Sequence, residues 1–105
     1  MSETENIKPE TAEPEFPLPP VSFEFLTLSL KMQAEMQLGL VHFGEESERP
    51  KPDLRLASHT IDLMAMLQEK TRGNLTLEEQ RLMENSLTEL RFRFVQVRDE
   101  LSKKS

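Results

Sequence analysis

The chain has 105 residues and among them no cysteine, no tryptophan and no tyrosine. Without cysteine there is neither a disulfide framework nor a thiolate zinc site, a composition that suits a reducing cytoplasm. With no Trp or Tyr, six Phe are the only aromatic groups able to stack on a base or fill a core. The opening MSETENIKPE is polar and acidic, with no basic segment followed by an apolar one, so no secretory signal is expected. Basic residues are outnumbered, 13 against 19, and the net charge of −6 argues against nucleic acid or an anionic membrane as the main partner.

What is present is unevenly spread. Residues 1–20 hold five of the seven prolines, and five glutamates against Lys8 leave this segment at −4. Such a stretch cannot bury enough surface to offset its ordering entropy, so it reads as a disordered tail. Pro14-Glu-Phe-Pro17 and Pro17-Leu-Pro-Pro20 have the PxxP spacing of polyproline ligands, which polyproline structure alone also produces. The remaining residues, 21–105, carry only −2 and are expected to form one all-α domain. The arrangement is a compact three-helix bundle, or a helical hairpin with a long central helix.

The first helix is predicted over about 23–43, with Ser22 as N-cap and Gly44 as stop. Its stretch LTLSLKMQAEMQLGL, Leu26 to Leu40, is apolar at every second position, the period of a strand. Fifteen residues exceed the usual ~5–6 of a strand, and Leu, Met, Gln, Ala and Glu favour helix. At about 100° per residue, Glu24, Lys31, Glu35 and His42 fall in one narrow stripe, giving every charge a single exit to water. Those charges also exclude a membrane span. The rest of the helix is apolar or neutral nearly all round, which implies burial on most sides.

The second helix, about 53–72, has one broad apolar face of Leu56, Ala57, Ile61, Leu63, Met64 and Leu67, and stops at Gly73. Thr76-Leu-Glu-Glu79 is a capping box opening the third helix, about 77–101. There Met83, Leu87, Leu90, Phe94, Val97 and Leu101 repeat at 4-3-4-3-4, a heptad seam. Two one-sided helices leave apolar surface on the first uncovered, and small cores are marginal alone. The expected remedy is a homodimer or another protein partner. The expected contact comprises Phe25, Leu28, Met32, Met36, Gly39 and Leu40, with Phe92 added from the third helix. Gly39 inside a helix costs ~1 kcal/mol relative to Ala, a cost that close approach by another helix would explain.

The run TIDLMAMLQEKTRGNLTLEEQRLMENSLTELRFRF resembles the signature of a small bacterial family, domain of unknown function 1844, and FLTLSL followed by LVHFGE resembles its opening. Phe43 stands where Leu is expected and Phe94 where Tyr is usual. The resemblance spans roughly residues 22–97 and implies a small helical bacterial protein of the cytoplasm. It brings no activity, cofactor or site residue.

Candidates for chemistry are few. His59 and Asp62 share the polar face of the second helix, and His42 with Glu45 forms another pair. Two such pairs meeting across helices would begin a metal site of an accessory enzyme subunit, but solvated surface histidines account for them as well. LRFRFVQVR mixes Arg91, Arg93 and Arg98 with Phe92 and Phe94, and the C-terminus adds Lys103 and Lys104, a nucleic-acid-binding composition. At helical pitch Arg91 and Arg93 diverge by about 160° and make no single patch. Lys70-Thr-Arg-Gly73 lacks the glycine-rich run of a phosphate loop. No catalytic residue, metal or cofactor is expected. The reading that follows is a non-enzymatic helical interaction or scaffolding module, self-associating through its first helix.

Overall fold

The computed structural model describes residues 17–104, and among them every regular element is helical. The elements are α1 (Phe23–Gln37), α2 (Leu54–Lys70) and α3 (Leu77–Lys104), with a single 3-10 turn at Glu46–Glu48 between α1 and α2. Each helix packs against the other two, forming the compact three-helix bundle. Residues 1–16, which carry most of the expected tail and the first PxxP, lie outside the described residues. Pro17–Pro20 is exposed and neither helical nor extended in a sheet. Among the described residues no helix is long and apolar enough to cross a membrane.

Local chemistry starts each helix. Ser22 is extended and its Oγ accepts from the Phe25 amide at 3.0 Å. Asp53 does the same for the Leu56 amide at 3.1 Å. The capping box forms in both directions: Thr76 N donates to Glu79 Oε1 at 2.9 Å, and Glu79 N to Thr76 Oγ1 at 3.1 Å. These bonds satisfy amides that a helix start leaves without partners.

The end of α1 corrects the sequence reading. The helix stops at Gln37, not Phe43, and Gly39 at φ 77° is its terminator, not Gly44. Gly39 N donates to Met36 O at 3.0 Å and Leu40 N to Glu35 O at 2.9 Å, the paired bonds of a Schellman motif. Two further donors seal this end: Asp53 N to Gln37 O at 2.7 Å, and Arg49 Nη1 to Gly39 O at 2.6 Å. The apolar pattern runs on through Phe43, so periodicity alone carried the predicted helix too far. The close neighbour of Gly39 is its own loop, not another helix. A Cβ built there would lie 3.2 Å from Pro52 Cγ.

The core has two parts. Ala34, Ile61, Met64, Met83, Leu87 and Leu90 form the larger, flanked by Phe23, Leu30 and Leu67. Leu38, Ala57 and Val97 form the smaller, at the end where the α1–α2 loop crosses, and Phe94 touches both. The seam predicted for α3 is therefore its buried side, except that Leu101 is exposed and Ser86 is buried.

Candidate interaction surface

The buried residues of α1 are Thr27 and Ala34, with Leu38 at its cap. Small side chains allow helix backbones to approach closely, and Thr27 costs nothing polar because its Oγ1 donates to Phe23 O at 2.9 Å. The bulkier Phe23 and Leu30 pack at the flanks. The opposite face carries Phe25, Leu28, Met32 and Met36, each 37–48 % exposed. At spacings of three, four and four residues these fall on one side of the helix. Four large apolar groups thus face outward while the fully buried positions within α1 are small, the reverse of an ordinary surface helix.

The four outward residues line one groove of about 470 Å³ together with Ser29 and Gln33. The Ser29 hydroxyl donates to Phe25 O at 2.8 Å, so it makes no demand on whatever covers the groove. A second groove of about 520 Å³ shares Phe25 and Ser29 and is walled by Leu18, Pro19, Pro20, Val21 and Leu26. Leu18 and Val21 lie beside prolines at the border of the tail, where no helical periodicity marks them in the sequence. Their signal was the pair of apolar residues flanking Pro19-Pro20.

Charge is kept to the edges. On the side facing α3, Lys31 Nζ lies 3.1 Å from Glu89 and 3.9 Å from Glu35. On the side facing α2, Gln33 Nε2 donates to Thr60 Oγ1 at 3.3 Å, and Thr60 Oγ1 donates to Gln37 Oε1 at 2.7 Å. The apolar strip runs between these two polar seams.

Three of the other expected positions lie elsewhere. Gly39 belongs to the helix stop. Leu40 is half-buried against the Leu38, Ala57 and Val97 cluster. Phe92 is 62 % exposed on the side of α3 away from its seam and lines neither groove. The expected Glu24–His42 stripe is also cut short, because His42 is no longer helical. Its Nε2 lies 3.0 Å from the backbone oxygen of Glu45, not from the carboxylate.

The remaining candidates do not assemble. Among the described residues no three His, Cys, Asp or Glu side chains gather to hold a metal ion. His59 and Asp62 are exposed on α2. Arg91, Phe92 and Arg93 are exposed while Phe94 turns inward, and Arg93 lies 4.0 Å from Glu89. Arg72, at the α2–α3 turn, is paired with Glu69 at 2.6 Å rather than open to a phosphate. In the α1–α2 loop, Arg49 binds both oxygens of Glu46 at 2.9 and 3.2 Å. That hydrogen-bonded guanidinium holds the Glu46 carboxyl below its ordinary range.

No curated protein and no solved structure matches this chain. A family model does, over residues 20–96, from the Pro20 wall of the second groove through all of α1 and α2 and most of α3. The chain belongs to the family described as Domain of unknown function (DUF1844).

Proposed function

We propose that the protein is a non-enzymatic helical interaction module that self-associates through the outward face of α1. The observation that carries this reading is the inverted helix. Phe25, Leu28, Met32 and Met36 stand in water while Thr27 and Ala34 occupy the interior. Contiguous apolar surface rimmed by polar groups is the character of a protein contact. Among the described residues neither histidine gathers the partners that a metal-dependent accessory role requires, and at helical pitch Arg91 and Arg93 diverge on α3. The cysteine-free composition supports work in a reducing cytoplasm.

Sedimentation velocity over a range of concentrations tests this reading. The wild-type protein is expected to sediment as a dimer. Met32→Glu places a charge in the middle of the strip and is expected to give a monomer with unchanged helical circular dichroism, because Met32 is not part of the core. A wild-type monomer at high concentration refutes self-association. So does a Met32→Glu protein that dimerises as well as the parent.

A further inference from the structure

Resting on the self-association proposed above, we infer that two copies pair through antiparallel α1 helices about a two-fold axis near the Leu30–Lys31 bond. Phe25 of each copy then meets Met36 of the other. The spacing of the strip carries the register. Phe25 and Met36 stand equally far on either side of that bond, and so do Ser29 and Met32. In the antiparallel arrangement the aromatic ring meets a flexible thioether, a favourable contact, and the smallest group on the strip meets a large one. A parallel pair sets Phe25 against Phe25 and Ser29 against Ser29, leaving a clash at one level and a void at the next.

Shape points the same way. Phe25 is a ridge with a groove on either side, since both grooves include it. A two-fold axis seats such a ridge in the other copy's groove, between Met32 and Met36. Helix dipoles agree: the last turn of α1 has no basic residue, and an antiparallel neighbour brings its positive N-terminal end alongside.

Area decides how much of the chain takes part. A helix of 15 residues is about 22 Å long and about 10 Å wide, and that strip falls short of the ~800 Å² per partner of a standard interface. The surface continues past the start of α1 into Leu18 and Val21, 89 % and 105 % exposed. At the other end of α1 the following loop exposes Phe43, at 79 %. Antiparallel pairing brings the Leu18–Val21 arm of one copy toward the Phe43 end of the other, extending the contact at both ends. A parallel pair puts both arms at the same end.

The absence of cysteine makes the register directly testable in the full chain. Phe25→Cys alone and Met36→Cys alone are each expected to give no disulfide-linked dimer. Mixing the two proteins is expected to give the linked heterodimer. A second measurement leaves the strip intact: a spin label on Glu24→Cys, which lies off the strip, is expected to report labels separated by ~20 Å along the axis at 1.5 Å per residue. Linked dimers from either single variant, or labels at the same height, overturn the antiparallel register. A wild-type dimer with no link in the mixed sample overturns the Phe25–Met36 register while leaving self-association standing. A wild-type monomer removes both.

Discussion

Gly39 is held at φ 77°, a conformation that costs an L-residue about 1–2 kcal/mol. A Cβ there also crowds Pro52 at 3.2 Å, whereas Gly73, at φ 87°, has nothing within 4 Å of the same position. Gly39→Ala is therefore expected to destabilise by about 1–2 kcal/mol and by more than Gly73→Ala, measured as urea midpoints at equal slope. Equal losses at the two sites would mean that Pro52 yields freely and that backbone conformation alone matters. Nearby, Arg49 donates to both Glu46 and the Gly39 carbonyl, so one guanidinium ties the loop to the helix stop. The Glu46 carboxyl is held low by that bond and charge, and a depressed carboxyl stabilises above its unfolded pKa. Its contribution is complete at neutral pH and is lost as pH falls through the lowered folded value. Glu46→Gln is expected to flatten the stability profile in that acidic window and to leave its shape above pH 6 unchanged. An identical acid limb in the variant would show that the pair is too solvated to matter.

At the level of elements, the helix starts were legible and one helix stop was not. Ser22 and the Thr76–Glu79 box act through bonds to amides three residues away, so the residues that make the start are adjacent in sequence. Thr76→Ala is accordingly expected to cost ~1 kcal/mol, with an unaltered slope of unfolding against denaturant. A midpoint equal to the parent's would show that Glu79 and water cap α3 without it. The end of α1 has a local signal in Gly39 and its Schellman bonds, but the apolar pattern continuing through Leu40–Phe43 masks it, and Arg49 and Asp53, later in the chain, complete the stop. The seam of α3 could be read because its heptad spacing is one-sided. The inward face of α1 could not. That helix is apolar nearly all round, so periodicity does not choose a side, and the structure turns Thr27 and Ala34 in while leaving Phe25 and Met32 exposed. The excess of apolar surface on α1 was thus legible, and with it the exposure of Phe25, Leu28, Met32 and Met36. The arm at Leu18 and Val21 was hidden by the prolines around it.

For the whole molecule, the proposed self-association through α1 predicts a stability that depends on concentration. Among the described residues the buried set is modest: nine apolar side chains, three of them Ala34, Ala57 and Val97, together with Thr27, Thr60 and Ser86. A bundle built this way gains by covering α1, and when folding and association are coupled the folded dimer is favoured by mass action. Each tenfold rise in protein concentration then adds about 1.4 kcal/mol per dimer. With ordinary unfolding entropies per residue, two domains of this size convert that into a Tm rise of about 3–5 °C. Differential scanning calorimetry of the wild-type chain at two concentrations tenfold apart measures it directly. The Met32→Glu protein supplies the contrast, because a monomer has the same Tm at both. A wild-type Tm that does not move with concentration would place the apolar strip outside the folding equilibrium, as a surface that this bundle tolerates in water without the help of a second copy.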